Sequence, residues 1–201
     1  MTASSPVQAW LDQEDDSWRP LVSFFRPPVR NTLPSESLSL WEVHNRITCE
    51  AYRDFTHQLR SLSDPKEIRA LKASSFAYVT FAGTFSSRND RNLLQGSDLL
   101  VLDFDHLPDP ERVKQQLLQD EYFDTEMLFL SPSGTGLKWV IRRDPGSRHQ
   151  EYFRAVENYL QRSYHLTVDP SGRDVSRACF LTFDENSVLH ERHNPIMNSE
   201  L

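Results

Sequence analysis

Residues 99–106 read Leu-Leu-Val-Leu-Asp-Phe-Asp-His. The four leading apolar residues predict a strand that is buried on both faces. Because side chains alternate along a strand, Asp103 and Asp105 point to the same face where this strand ends. Two carboxylates this close repel each other, and a shared divalent cation relieves the repulsion. The segment therefore favours a metal site; the alternative is a polar exit from a strand into a loop.

Periodicity on either side of this strand predicts a mixed α/β or α+β domain. A helix is predicted from Ser39, where Ser39-Leu-Trp-Glu42 forms a capping box, with an apolar stripe that continues to Leu59. Further helices are predicted from Asp64-Pro65, over 109–119 and over 149–162. Further strands are predicted at 21–25, 76–81, 127–130, 138–141, 166–168 and 178–182. These elements predict a domain built around one sheet of about five to seven strands.

Length and composition are typical of one globular domain. The 201 residues contain no apolar run near the ~20 residues that span a bilayer. We expect flexible tails at 1–19 and 191–201 around a domain at 20–190. Cys49 and Cys179 are far apart in sequence, which disfavours a zinc finger or a disulfide framework. The expected location is cytoplasmic, without membrane association.

Charge is distributed unevenly along the chain. The net charge of −7 disfavours an indiscriminate nucleic-acid binder. Residues 98–126 hold nine acids against two bases, whereas residues 138–177 hold eight bases against five acids. One region suits cations and the other suits phosphates, but helix faces that merely differ in charge explain this observation equally well.

A turn rich in small residues separates two predicted strands. It reads Leu130-Ser-Pro-Ser-Gly-Thr-Gly-Leu-Lys-Trp139 and contains two of the six glycines, Gly134 and Gly136. Such a turn can direct backbone N–H groups at a phosphate, to which Ser133 adds a hydroxyl and Lys138 a cation. The alternative is an ordinary hairpin whose glycines supply positive φ angles.

A third acidic candidate lies in Val168-Asp-Pro-Ser-Gly-Arg-Asp-Val-Ser-Arg177. Asp169 closes a short predicted strand and is placed to join the aspartate pair; Asp174 competes for this role, and Asp169 is preferred. Arg177 opens the next predicted strand, where its guanidinium can donate two N–H groups to a triphosphate. A plain turn with Arg177 in a surface ion pair is the alternative.

Three other residues are weaker candidates. Arg88 follows Gly83-Thr-Phe85 and is a candidate contact to nucleotide or template, although a structural strand and loop is the preferred interpretation. His106 is interpreted as a hydrogen-bonding neighbour of the aspartates rather than a ligand. Cys179 lies within an apolar strand and is expected to be a buried structural thiol.

The three motifs occur in the order Asp103-Phe-Asp105, Ser133-Gly-Thr-Gly-Leu-Lys138, and Asp169 with Arg177. In this order they resemble the catalytic motifs of the archaeo-eukaryotic primase superfamily. The closest resemblance is to the VirE-type N-terminal domain of mobile-element primase–helicase proteins, and it covers most of the chain. It implies an α+β fold, in which a primase–polymerase catalytic core with an RRM-like sheet lies beside an N-terminal α/β portion.

The resemblance also implies roles for individual residues. Asp103, Asp105 and Asp169 correspond to catalytic ligands of Mg²⁺ or Mn²⁺. Lys138 stands where many members have His, which keeps a cation for phosphate but removes a group that titrates near neutrality. The nucleotide-binding candidates are Ser133, Gly134, Gly136, Lys138, Arg177 and Arg88.

The function expected from this resemblance is DNA-directed primer synthesis or extension by two-metal nucleotidyl transfer, in mobile-element replication or DNA repair. The expected partners are nucleoside triphosphates, a single-stranded DNA template or primer–template, and a helicase domain or protein. One alternative is a metal-dependent nuclease or replication-initiation endonuclease, for which Tyr164 is the nearby tyrosine. Another is a non-enzymatic, primase-like module that binds nucleic acid or protein.

Overall fold

A computed structural model describes residues 18–195 and gives a mixed α+β fold. The helices are α1 (Leu40–Thr48), α2 (Arg53–Ser61), α3 (Pro65–Ser75), α4 (Pro110–Leu118) and α5 (His149–Tyr164). The strands are β1 (Leu21–Phe25), β2 (Glu36–Ser39), β3 (Tyr78–Thr80), β4 (Gly83–Phe85), β5 (Leu93–Gly96), β6 (Leu99–Phe104), β7 (Thr125–Leu130), β8 (Leu137–Arg142), β9 (Cys179–Phe180) and β10 (Val188–Leu189). Short 3₁₀ helices lie at Glu50–Tyr52, Asp90–Asn92, Pro170–Arg173 and Glu191–His193.

The strands form two four-stranded sheets and one hairpin. The first sheet has the order β2-β1-β3-β9 and the second has the order β10-β7-β8-β6, while β4 pairs with β5. Neighbouring strands in both sheets are antiparallel. The prediction of one sheet with five to seven strands is therefore wrong, because the chain splits its strands between two smaller sheets.

Alternation along β6 joins two hydrophobic cores. Leu99 and Val101 pack in a core shared with the first sheet and α1, whereas Leu100 and Leu102 pack in a core shared with α4 and α5. The predicted strand buried on both faces is thus confirmed, within an antiparallel sheet. Asp103 continues the side of β6 that faces the first sheet.

Helix signals in the sequence were accurate at the N-termini. Ser39 and Glu42 form the predicted capping box of α1, and Asp64 caps α3 with Pro65 in its first turn. The predicted stripe from Ser39 to Leu59 is interrupted, because α1 ends at Thr48 and α2 starts at Arg53.

Strand prediction was less accurate than helix prediction. The strand at 21–25 is confirmed, and 127–130 and 138–141 lie within β7 and β8. Residues 166–168 form no strand. The Leu166 amide donates a hydrogen bond to the Leu160 carbonyl of the preceding helix, and the Asp169 amide donates to the Asp103 carbonyl, so the segment is not paired along a neighbouring strand. Only Cys179–Phe180 of the strand predicted at 178–182 pairs in a sheet. Four short strands, β2, β4, β5 and β10, were not predicted.

Most of the two predicted tails, 1–19 and 191–201, lies outside the described residues. In the described part, the indole N–H of Trp18 donates to the carbonyl of Ser97 at 3.2 Å, and its ring contacts the buried His193. None of the helices between residues 18 and 195 combines the length and apolar character required to cross a membrane.

Candidate functional site

Three aspartates converge where β6 ends. Asp103 is the fifth residue of β6, Asp105 follows the strand, and Asp169 caps the 3₁₀ helix at 170–173. The amide of Asp169 donates to the carbonyl of Asp103 at 2.8 Å, which fixes the third acid against the strand. Oxygen atoms of the three carboxylates lie within 4.8 Å of one another. The structure therefore brings together the three acids that the sequence singled out.

The segment that carries Asp169 is anchored in the second core. Val168 is buried there, directly before the aspartate. Gly172 lies against Phe153 of α5, and a Cβ at this position would approach the Phe153 ring to 2.6 Å. The imidazole Nε2 of His149 lies 3.0 Å from the Gly172 carbonyl oxygen. Close packing against α5 thus explains why a glycine occupies this turn.

Asp103 is the most constrained of the three acids. Lys138 lies opposite it in the β6–β8 ladder, and the Lys138 ammonium pairs with Asp103 Oδ2. Oδ1 is buried and has no hydrogen-bond partner among the described residues. Burial raises the pKa of the Asp103 carboxyl and the charge of Asp105 adds to this, whereas Lys138 acts in the opposite direction.

Asp169 lies in a different electrostatic environment. Burial alone would raise the pKa of its carboxyl, but hydrogen bonding to Ser171 and the charge of Arg177 outweigh burial and lower it. Its Oδ1 accepts from the Ser171 amide at 2.9 Å, and its Oδ2 accepts from Arg177 at 2.7 Å. Asp169 is therefore ionised more readily than an ordinary aspartate.

A cavity of about 320 Å³ opens beside the aspartates. Its size lies at the lower end of the range found for small-molecule sites. The lining combines acids, cations and hydroxyls: Val29, Lys72, Arg88, Asp103, Asp105, Ser131, Pro132, Ser133, Lys138, Asp174, Ser176, Arg177, Ala178 and Phe180.

Lys72, Ser131 and Ser176 line this cavity and were not predicted from the sequence. Burial and the neighbouring charge of Lys138 lower the pKa of the Lys72 ammonium. Lys72 follows the other bases of α3 at helical spacing, and this pattern is also typical of a helix face exposed to solvent. The sequence therefore does not distinguish Lys72 as a site residue. The hydroxyl of Ser131 lies 3.0 Å from that of Ser133, within the turn that the sequence did identify.

The turn between β7 and β8 has features of both structures predicted for it, a ligand-binding turn and an ordinary hairpin. Ser133 lines the cavity, whereas Gly134 and Gly136 do not. Gly134 has φ +75°, and a Cβ on Gly136 would collide with the Phe104 carbonyl. The Gly134 amide donates to Ser131 O at 2.9 Å, so this N–H is already used within the hairpin. The glycines shape the turn, and the cavity receives a serine side chain from it.

The remaining candidates occupy defined positions. Arg88 lines the cavity, and one of its N–H groups donates to the Val29 carbonyl at 3.3 Å. Asp174 also lines the cavity but is not part of the three-aspartate cluster. His106 adopts a left-handed backbone conformation, φ 54°, just after the strand. Cys179 is buried as expected, and burial raises the pKa of its thiol to about 12.

Tyr164 lies outside the cavity lining, and its hydroxyl is hydrogen-bonded to Asp120. Its hydroxyl and that of Tyr159 both donate to Asp120 Oδ2, at 2.7 and 2.8 Å. Tyr164 packs against the core that α4 and α5 share with the second sheet, and it does not line the cavity.

A family model described as "BT4734-like, N-terminal domain" matches residues 70–188, more than half of the chain. The chain belongs to this family. The family match begins within α3 and ends at β10, so it includes the three aspartates, the β7–β8 turn and Arg177. No curated protein and no solved structure matches the chain.

The donor set in this BT4734-like domain fits a hard divalent cation. Carboxylate oxygens are the ligands that Mg²⁺ and Mn²⁺ prefer, and three of them converge here. The buried Oδ1 of Asp103, which lacks a hydrogen-bond partner in the described part of the chain, offers a free acceptor in the same cluster. The geometry thus provides a set of acids for a metal and, in the lining of the same cavity, cations for an anionic ligand.

Proposed function

We propose that this chain is a metal-dependent nucleotidyltransferase of the primase–polymerase kind, which makes or extends primers from nucleoside triphosphates. One observation carries the proposal: three carboxylates have oxygens within 4.8 Å of one another, and two of them, Asp103 and Asp105, line a cavity that Lys72, Lys138 and Arg177 also line. Acids and cations in one small cavity suit a substrate that is a metal–phosphate complex.

The connectivity of the second sheet supports the same proposal. Along the chain its elements follow the order β6-α4-β7-β8-α5-β10, and β8 lies between β6 and β7 as in a split β-α-β unit. The last strand differs from the ferredoxin-like arrangement, because β10 pairs with β7 rather than with β6. We interpret this sheet as the RRM-like catalytic core. The first sheet, with α1 to α3, would then be the accompanying N-terminal portion.

In this proposal Asp103, Asp105 and Asp169 hold Mg²⁺ or Mn²⁺. Bound ions of this kind, in a two-metal arrangement, lower the pKa of an attacking hydroxyl and neutralise charge on a triphosphate. Asp103 is held on a strand and Asp169 by its backbone bond to that strand, so the ligands are pre-positioned.

Lys138 and Arg177 would bind the triphosphate. Each already contacts one aspartate of the cluster, Lys138 contacting Asp103 and Arg177 contacting Asp169. Both cations also line the cavity, where phosphate oxygens would lie. Arg177 can donate two N–H groups to one phosphate, and Ser133 adds a hydroxyl. These contacts would stabilise the negative charge that develops on the phosphates, without a covalent enzyme intermediate.

The proposed partners are nucleoside triphosphates, a single-stranded DNA template or primer–template, and a helicase domain or protein. A metal-dependent nuclease is the rival that the same acids would serve. A tyrosine nucleophile gains no support from Tyr164, which donates to Asp120 and does not line the cavity.

Primer synthesis tests the proposal directly. The purified chain would be incubated with single-stranded template or labelled primer–template, ribo- or deoxyribonucleotides, and Mg²⁺ or Mn²⁺. We expect longer products from the wild-type chain. Loss of a metal ligand removes several kcal/mol of transition-state stabilisation, so Asp103→Ala or Asp105→Ala should lower the rate by about a thousand-fold or more.

Glu121→Gln is the matched control, since Glu121 is an exposed acid of the same acidic segment and lies outside the cavity lining. Full synthesis by Asp103→Ala or Asp105→Ala would remove the proposal. Shortening of labelled DNA with Mn²⁺ and no nucleotides would instead identify a nuclease. Absence of calorimetric binding of Mn²⁺ and a triphosphate would favour a non-enzymatic binding module.

A further inference from the structure

One wall beside the cavity is assembled from three segments that are distant in sequence: residues 26–33, residues 64–75 and residues 86–92, together the cationic wall. The amide of Val29 donates to the Ala73 carbonyl at 2.7 Å, which joins the first segment to the end of α3. The amide of Arg88 donates to the Thr32 carbonyl at 2.8 Å, which joins the third segment to the first. The three segments therefore form one continuous surface.

This wall is basic in an acidic protein. Its three segments hold seven bases against three acids, a balance of +4, whereas the whole chain carries −7. Two of the three acids have structural partners: Asp64 accepts from the Lys66 amide at 2.9 Å, and Asp90 accepts from the Ser176 amide at 3.0 Å. The three segments together therefore keep a net positive charge.

The bases of the wall form no ion pair within residues 18–195. Elsewhere in this range several cations do, including Arg46 with Glu36, Arg143 with Asp98 and Arg177 with Asp169. Lys66 and Arg69 of the wall are exposed to solvent. Unpaired cations gathered on one surface repel one another, and an anionic partner relieves that repulsion.

The wall runs from solvent into the cavity. Lys66, Arg69 and Lys72 are spaced by three residues, so they follow one side of α3. Lys72 at the inner end lines the cavity, as do Val29 and Arg88 of the other two segments. A ligand with regularly spaced negative charges can therefore contact the wall and the aspartate cavity at the same time.

We propose that the cationic wall binds the sugar–phosphate backbone of a single-stranded polynucleotide and leads that strand to the cavity. The inference deepens the proposed function and rests on it for what the strand does at the aspartates. A cavity of about 320 Å³ has room for a single small ligand such as a nucleotide, not for a base-paired duplex. Because the contacts are made to phosphates, binding is independent of sequence and falls steeply with salt.

Fluorescence anisotropy with a labelled single-stranded DNA 20-mer of mixed sequence tests the inference, in EDTA and without nucleotides. The test variant is Lys66→Glu/Arg69→Glu/Arg91→Glu, which changes exposed wall residues outside the cavity lining. The matched control is Arg112→Glu/Arg154→Glu/Arg162→Glu, which makes the same charge change on exposed residues of α4 and α5.

We expect the wall variant to bind at least about ten-fold more weakly than both the wild-type chain and the control. A plot of the logarithm of the association constant against the logarithm of the salt concentration should become less steep by about 2. The reason is that three basic residues are changed and each single-strand phosphate contact contributes about 0.7 to the slope. Equal weakening in both triple variants would overturn the inference, as would a labelled duplex that binds as tightly as the single strand. If the wall variant does not unfold cooperatively, Lys66→Gln/Arg69→Gln/Arg91→Gln replaces it.

The two proposals fail separately. A wild-type chain that binds DNA through the wall but makes no product would remove the nucleotidyltransferase proposal and leave the wall as a strand-binding surface. A wall variant that binds DNA and extends primers like the wild-type chain would remove only the present inference.

Discussion

Two groups of charged side chains, the aspartate cluster and the group around Glu126, lie at different places beside the second sheet and differ in the number of acids they contain. In the aspartate cluster, three acids of like charge converge beside a cavity. In the other cluster, a single acid, Glu126 of β7, is fully buried and contacts His193 at 2.6 Å and Arg192 at 3.8 Å. Trp18 contacts the His193 ring from outside. The first arrangement brings three like charges together, of which Lys138 offsets that of Asp103 and Arg177 that of Asp169. The second sets one acid against Arg192 and His193.

The comparison shows which features indicate a functional site. Both clusters contain a buried carboxylate oxygen without a hydrogen-bond partner in the described residues, Asp103 Oδ1 and Glu126 Oε1. Such an atom therefore does not by itself distinguish a metal site. The distinguishing feature is the second and third acid, because like charges brought together repel one another, and Lys138 and Arg177 each offset only one of them.

The largest expected difference is in stability. Glu126→Ala leaves His193 and Arg192 beside a buried gap, so we expect the free energy of unfolding to fall by about 3 kcal/mol or more. Asp105→Ala removes one of three like charges from an exposed position, so we expect a change below about 1 kcal/mol, or a gain. Urea denaturation of both variants measures this, and equal losses would contradict the comparison.

Divalent ions should act on one cluster only. A ligand that binds the folded state at 100 times its Kd adds about 2.7 kcal/mol of stability, so saturating Mn²⁺ should raise the Tm of the wild-type chain by several degrees. The double variant Asp103→Asn/Asp105→Asn should lose this increase. Glu126→Gln is the control and should keep it. A Tm increase in the double variant equal to that of the wild type would place the ion elsewhere.

Backbone packing at two glycines, Gly136 in the β7–β8 turn and Gly96 at the end of β5, offers a smaller test. Gly136→Ala places a Cβ against the Phe104 carbonyl, next to the aspartates, and should cost about 1–3 kcal/mol of stability. At Gly96 a Cβ meets nothing within 4 Å, so Gly96→Ala should be close to neutral. Differential scanning fluorimetry of the two variants checks the prediction, which a neutral Gly136→Ala would contradict.

The smallest expected effect is a pH dependence linked to His149. Burial lowers the pKa of its imidazole, and the charge of Arg143 adds to this, whereas the Gly172 carbonyl and the charges of Asp90 and Asp174 oppose it. Below about pH 6.5 the unfolded chain therefore binds a proton that the folded chain resists, and stability falls as the pH falls. Urea midpoints measured from pH 7.5 to 5 should decline less for His149→Gln than for the wild type. Identical pH profiles would contradict this assignment.

The sequence was most informative where local rules apply. Alternation along 99–105 predicted both the buried strand and the shared face of Asp103 and Asp105, and the capping box predicted the start of α1. The division into two sheets was not predicted, because strands of two to four residues such as β2 and β10 carry too little pattern to assign. Their pairing depends on contacts between residues far apart in the chain.

Tertiary proximity also explains what was missed at the site. Lys72 reaches the cavity only because α3 is joined to residues 26–33, a contact that helical spacing does not reveal. Glu126 and His193 were not considered as a pair, since they lie 67 positions apart. The sequence favours Asp169 over Asp174 as the residue that closes a short predicted strand. No strand forms there, and Asp169 is held in the cluster by a backbone hydrogen bond that the sequence does not show.

That hydrogen bond joins the amide of residue 169 to the carbonyl of residue 103. The distance in space between the two acids therefore does not depend on the number of residues between them. The third acid takes its position from the strand that carries the first, rather than from the length of the polypeptide between them. Insertions or deletions in the loops on either side of α4 or before α5 would then leave the spacing of the acids unchanged. Relatives whose loops differ in length can be expected to keep the same triangle of carboxylates.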